Sequence, residues 1–244
     1  MNFSLILIFT VVIFLGYFLK GLAGFGGALF SVSILIIFFE VRDVVPIISI
    51  VDIASGFILL PRIRNYINKR MLITISAGLC VGTTIGVYFL KSFSNHALEI
   101  IFAVLVIFFS LRMLFYSNFI IHKLNKLKIF FGSFFGLIAG ITGGMFGADG
   151  PPVVLYLSNQ IKDKNFLRGT LISIFLVGAI WRNFIYFSID FFTVQVYQIS
   201  LLMIPVLFMA TFLGSKVNYK MNEKTYRLVT SFILLISGAI ILVR

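Results

Sequence analysis

The sequence predicts an all-α polytopic membrane protein of two inverted repeats, each a glycine-broken hairpin followed by three transmembrane helices. Three observations carry this: a composition that needs lipid outside, apolar runs of crossing length, and a Lys and Arg distribution that sorts the loops to two sides. Of 244 residues, 60% are hydrophobic and 11% charged, with a mean hydropathy of +1.11, where an ordinary soluble domain has roughly 25% charged residues. A soluble fold of this length needs a charged exterior, so the expected surroundings are the lipid bilayer. The net charge of +12 sits mostly in short loops between apolar runs, which argues for membrane topology and against a nucleic-acid partner. One cysteine, Cys80, inside an apolar run, excludes a disulfide framework and a thiol metal site. Met1 to Ser4 lack the basic residues that open a secretory signal, so the segment from Phe3 is expected to stay in the membrane.

Apolar runs occupy 3–39, 44–60, 71–90, 97–116, 129–157, 167–188, 194–213 and 226–243. Six fit the ~20 residues of one crossing. The runs at 3–39 and 129–157 are too long for one straight helix, and each holds a glycine cluster: Gly21, Gly24, Gly26 and Gly27, then Gly140, Gly143, Gly144, Gly147 and Gly150. If every run crossed once, each side would hold nine Lys and Arg. If each broken run returns to its starting side, the loops at 61–70, 112–128, 158–168 and 214–227 share fifteen, against three opposite: Arg42, Lys91 and Arg244. The positive-inside rule selects the second arrangement, with both termini outside. Each hairpin is then either a re-entrant pair of half-helices or a pair of short crossings.

The order of hairpin and three helices occurs twice, in residues 1–122 and 123–244. A shift of about 121 places Phe25-Gly26 on Phe146-Gly147, Ser49 on Thr170 and Asp52 on Ser173. Three net crossings per unit make the second unit inverted relative to the first, an arrangement that recurs in transporters whose broken helices meet near mid-membrane.

Backbone that leaves a helix inside lipid must be buried in protein or line a wet cavity. The glycine turns therefore mark an interior site, and the free amides of a restarting helix favour an anion. Pro151-Pro152 suits the first turn of such a helix. Elsewhere glycine serves packing: Gly132, Gly136 and Gly140, like Gly78, Gly82 and Gly86, are spaced by four and bring helices close. Such faces also offer a route to an oligomer. Four ionisable residues lie within apolar runs, Lys20, Asp52, Asp149 and Arg182, and charges there are costly and by default functional. Asp52 shares a helical stripe with Ser49 and Gly56, and Thr170 with Ser173 forms a similar polar face. Lys20 and Arg182 either bind the anion or neutralise Asp52 and Asp149. His96 and His122 sit in loops as solvated residues. No HExxH, GxSxG, GxxxxGK[ST] or CxxC pattern occurs, so neither an enzyme nor a cofactor is expected.

The stretch Gly143-Gly144-Met145-Phe146-Gly147-Ala148-Asp149-Gly150-Pro151-Pro152-Val153-Val154-Leu155-Tyr156-Leu157 resembles the G-x-FG-x-GGPP-x-V-x-YL signature of the TauE/SafE sulfite exporter family. Gly21-Leu22-Ala23-Gly24-Phe25-Gly26-Gly27-Ala28 looks like its first-half counterpart. The resemblance implies a bacterial inner-membrane transporter with duplicated halves that moves sulfite, sulfonates or related small anions. Asp149 stands where the family usually has glycine, Ala28 interrupts the first glycine run, and Ser33 stands where a proline is common. An ionised carboxylate in the turn would repel a dianion, which points away from the family substrate or toward a proton-linked step. The expectation is a secondary transporter of a small anion, with small carboxylates as further candidates. Gly24, Phe25, Gly26, Gly27, Gly144, Gly147 and Gly150 form the backbone cradle, with Ser49, Thr170 and Ser173 lining the passage. Lys20 and Arg182 give countercharge, and Asp52 or Asp149 couples transport to protons or fixes the cations. The rivals are a passive anion channel and a non-transporting scaffold subunit.

Overall fold

A computed structural model describes residues 3–115, 130–217 and 223–243, and these contain ten helices and no strand. In chain order they are α1 (Phe3–Ala23), α2 (Gly27–Leu35), α3 (Val41–Ile63), α4 (Lys69–Ser92), α5 (Asn95–Phe115), α6 (Phe130–Phe146), α7 (Gly150–Gln160), α8 (Lys164–Ser188), α9 (Val194–Val217) and α10 (Glu223–Val243). Among the described residues α1, α3, α4, α5, α8 and α9 are long and apolar enough to cross a membrane. Apolar side chains such as Ile73, Phe184, Phe187, Leu201 and Met209 stand exposed on them, as a lipid-facing surface requires. Lys123, Lys126, Lys128, Lys220, His122, Arg244 and the expected boundary between 122 and 123 lie outside the described residues.

Polar caps and glycine turns set the helix ends. Asn68 accepts from the Met71 amide to start α4, and Asp163 accepts from the Asn165 and Phe166 amides to start α8, each giving orphan donors a partner. The chain turns between α1 and α2 at Gly26 (φ 87°) and between α6 and α7 at Gly147 (φ 68°), left-handed backbone that a Cβ disfavours. Both hairpins are unequal, unlike either sequence expectation. The return arms α2 and α7, of 9 and 11 residues, reach only ~14–17 Å at 1.5 Å per residue, about half the bilayer core. The first arms run 21 and 17 residues. α2 doubles back on α1: a Cβ at Gly27 would lie 2.9 Å from Lys20 Cβ and 3.1 Å from the Gly16 carbonyl oxygen.

The contacts fix helix directions. α1 runs parallel to α9, with Thr10 beside Met203 and Gly21 beside Thr211 and Ser215. α4 runs parallel to α6, and α3 antiparallel to α8, with Ser49 beside Arg182 and Gly56 beside Leu176. α5 packs against α10. One apolar core, with Ile13, Val32, Ile48, Phe102, Leu207 and Leu234 among its members, joins α1, α2, α3, α5, α9 and α10 and takes in the C-terminal parts of α4, α6 and α8 through Val87, Phe146 and Ile185. A second, with Leu79, Ala139, Val153 and Ile174, joins α4, α6, α7 and α8.

Along the α4–α6 seam the two helices pack backbone to backbone. A Cβ built at Gly78, Gly82 or Gly86 would overlap the carbonyl oxygen of Ser133, Leu137 or Ile141, and one at Gly136 or Gly140 would overlap that of Ile75 or Leu79. These stripes serve packing, as their spacing predicts. Because they face each other within one chain, they are not free to hold a second copy.

Gly82→Ala forces these backbones apart and should destabilise the protein by about 1–3 kcal/mol, the usual cost of overpacking. Gly132→Ala meets only side-chain atoms at 3.3 Å and should be near neutral. Thermal unfolding of the two variants in detergent checks the difference.

Candidate functional site

Asp52 lies halfway along α3, 6% exposed, and gathers three helices. Lys20 Nζ of α1 is 2.7 Å from Asp52 Oδ1, and Arg182 Nη2 of α8 is 3.1 Å from Oδ2. The Tyr17 hydroxyl, one turn before Lys20, donates to Oδ1 at 2.8 Å. Two cations against one carboxylate leave a net positive charge in a buried position. Arg182, 1% exposed, also donates to Ser49 Oγ at 2.8 Å through Nε and to the Gly143 carbonyl at 2.7 Å through Nη1. Asn183 donates to Ser49 Oγ at 2.6 Å, and Tyr186 to the Gly144 carbonyl at 3.0 Å.

Against this cluster the two glycine turns meet. A small cavity between them is lined by Lys20, Phe25, Gly26, Gly27, Ala28, Leu29, Asp52, Gly147, Asp149, Gly150 and Phe175, with about 10 Å³ open to the centre of a water molecule, room for one water. The start of α2 contributes the amides of Gly27, Ala28 and Leu29, which precede the first intrahelical bond, Phe30 N–H to Gly26 O at 2.9 Å, and so have no intrahelical acceptor. α7 is different. Pro151 and Pro152 occupy its first turn and carry no N–H, so only the Gly150 amide remains. The sequence expectation treated Pro151-Pro152 as support for an amide cradle; at this helix they remove most of it.

The other expected residues divide plainly. Gly24 (φ 86°) packs on Arg168 and Ile172, and Gly144 on the α4 backbone at Thr83 and Val87. Thr170 Oγ1 accepts from the Asn68 amide at 3.0 Å, and Ser173 Oγ donates to the Gly169 carbonyl at 2.8 Å. Neither hydroxyl lines the cavity, because the α8 face they share is spent on the start of α4 and on its own helix. Ser49 orients Arg182, and Arg182 stands behind Asp52 rather than in the cavity wall. Lys20 does not reach for an interface, and both cations pair with Asp52 rather than Asp149. His96 is exposed at the start of α5. Tyr17, Asn183 and Tyr186 were not anticipated. Their signal was available: Tyr17 lies three residues before Lys20 and Tyr186 four after Arg182, each on the face of its charged neighbour.

Apolar crossing helices around a buried, positively charged cluster, with two interrupted hairpins closing over it, define a polytopic membrane protein of the transporter class. The chain belongs to the sulfite exporter TauE/SafE family, which it matches over residues 8–241. It is 24% identical over 204 residues to a protein of Cupriavidus necator described as a probable sulfite/organosulfonate exporter TauE, a match that covers 82% of this chain and 78% of that one. No solved structure matches the chain.

Removing the shared carboxylate leaves two buried cations facing each other. Asp52→Asn should cost about 3–5 kcal/mol, as loss of one partner of a buried pair does, while Tyr17→Phe, which deletes one charge-assisted hydrogen bond, should cost about 1.5–3 kcal/mol. Thermal unfolding in detergent orders the two variants.

Proposed function

We propose that this protein is a secondary transporter that carries a small sulfur oxyanion, a sulfonate or sulfite in its hydrogensulfite form, across the bacterial inner membrane by alternating access, driven by a proton or other ion gradient. The observation that carries this reading is the cavity where the two glycine turns meet, because an ammonium with donors beyond its ion pair and a helix start both line it. Lys20 has three donors, of which the bonds among the described residues commit one, to Asp52. The amides of α2 supply further donors and the positive end of a helix dipole. The family and the name of the Cupriavidus relative point to the same substrate class. The proposed ligands are therefore Lys20 and the Gly26–Leu29 turn, with Gly147 and Gly150 opposite. Arg182, Ser49 and Tyr17 hold Lys20 and Asp52 in place.

Residues 1–122 and 123–244 are read as two inverted units. Supporting this, α1 lies along α9 and α6 along α4, while α3 faces α8 and α5 faces α10. Exchanging the first five helices with the last five maps this set of pairs onto itself. α1 runs with α3 and α9, and α6 runs with α4 and α8, so corresponding first arms point in opposite directions. The shift of 121 also aligns Gly26 with Gly147, both with positive φ. In this orientation both termini lie outside, with the turns near 61–70 and 158–168 in the cytoplasm.

Protein reconstituted in liposomes should take up hydrogensulfite and methanesulfonate with saturation. Lys20→Met should weaken binding about tenfold to a hundredfold, the worth of one charge-assisted hydrogen bond. Unchanged affinity in that variant would overturn the site, and large unsaturable currents would favour a channel. In a Cys80→Ala background, Asn65→Cys should react with an impermeant thiol reagent only from the cytoplasmic side and Ser94→Cys only from outside; the reverse pattern would invert the topology.

A further inference from the structure

The two carboxylates of the cavity wall are held very differently. Asp52 has two ion pairs and a tyrosine hydroxyl on it. Asp149 has none of these: among the described residues it makes no ion pair and no hydrogen bond to another residue, and although it occupies the N-cap position of α7 its side chain does not cap the helix. Glycines leave room for it. Its Oδ2 lies 3.5 Å from where a Cβ at Gly178 would stand, and its Cβ lies 2.9 Å from where one at Gly143 would stand. The charged and titratable groups that face it are Lys20 and Tyr17 from α1, Asp52 from α3, and Arg182 from α8. None of the lining residues from α2 or α7 is titratable apart from Asp149 itself.

Charge balance then decides what the cavity accepts. Lys20, Arg182 and Asp52 together leave one positive charge. An ionised Asp149 cancels it and leaves a neutral site that offers an anion no net attraction; a protonated Asp149 restores the surplus, which one singly charged anion neutralises. A dianion would leave an uncompensated charge in a buried site, which its desolvation strongly disfavours. We propose that Asp149 is the proton-carrying and selectivity-determining residue of this site, taking up one proton as one monoanion, a sulfonate or hydrogensulfite, binds at Lys20 and the α2 amides, so that the pair moves without net charge. Atoms and charge balance: the carboxylate gains a proton to become a carboxyl group, the anion brings one negative charge, both leave on the far side, and nothing is oxidised or reduced. Asp52 cannot take this part without releasing Lys20 and Arg182 together. The inference rests on the anion-transport reading and assigns the coupling group within it.

Methanesulfonate is the probe, because it stays singly charged throughout the working pH range and any pH dependence therefore belongs to the protein. Its affinity, read by thermal shift on the purified full chain, should fall as pH rises, approaching about tenfold per pH unit, the slope for uptake of one proton. Sulfate should give no shift at any pH. In proteoliposomes an inward proton gradient should drive methanesulfonate accumulation, and a potassium diffusion potential set with valinomycin should leave the rate unchanged. In Asp149→Asn the pH slope should flatten and the proton gradient should no longer drive accumulation. The proposal is overturned if Asp149→Asn keeps the full slope, if wild-type uptake follows the imposed potential as movement of one charge, or if sulfate binds as well as methanesulfonate. Should the variant fail to fold, the wild-type slope, the potential test and the sulfate comparison decide alone. If wild-type protein neither binds nor moves methanesulfonate or hydrogensulfite at any pH, the transport reading itself fails, an outcome distinct from transport that ignores Asp149.

Discussion

The architecture turns on one carboxylate shared by two cations. Asp52 draws Lys20 from α1 and Arg182 from α8 onto α3, so a single side chain ties a first-half hairpin, its neighbouring helix and a second-half helix. Such clusters do not out-stabilise a well-packed apolar replacement, since desolvation offsets most of the attraction. What they fix is position. Arg182 spends its remaining geometry on Ser49 and on the Gly143 carbonyl at the end of α6, which fastens the second hairpin to the same point. Lys20 is thereby held at a cavity wall with donors to spare, and loss of Asp52 would leave both cations unmatched.

The two glycine turns look alike in sequence and differ in chemistry. Both place a left-handed glycine at the break, and both restart a short helix. The first restart presents three amides and no acid. The second has two prolines where amides would be and an aspartate beside them. The cavity therefore has a donor side, made of Lys20 and the α2 start, and an acidic side, made of Asp149. A pair of equal amide ends would attract anions whatever the proton concentration; on the proposed role of Asp149, this pair makes the attraction conditional.

Much of the fold was legible beforehand, because composition and run length report directly on lipid as solvent. The break positions, the buried charges Lys20, Asp52 and Arg182, and the packing role of the glycine stripes were readable for the same reason: each is a local departure from an apolar helix. Three features were not. The inequality of the hairpin arms depends on where the returning chain meets α1 and α6, and local pattern carries no such distance. Thr170 and Ser173 share a face as their spacing requires, yet spacing does not say which neighbour covers that face, and α4 does. The sparing effect of Pro151-Pro152 on helix geometry was visible, whereas its removal of donors matters only once α7 is seen to end at the cavity.

Room for a single water is too little for a sulfur oxyanion, so on the transport reading the turns must part before substrate enters. α8 is the element placed to govern that step. Arg182 holds the Gly143 carbonyl near the end of α6, and Arg168, about four helical turns away on the same helix, donates to the Gly21 carbonyl near the end of α1. One rod thus grips the first arm of each hairpin at its break. The two rods α8 and α3 meet closely where Gly56 packs on Leu176. Interfaces packed this closely settle into discrete arrangements rather than deforming continuously. On the transport reading, alternating access requires two such arrangements of this fold.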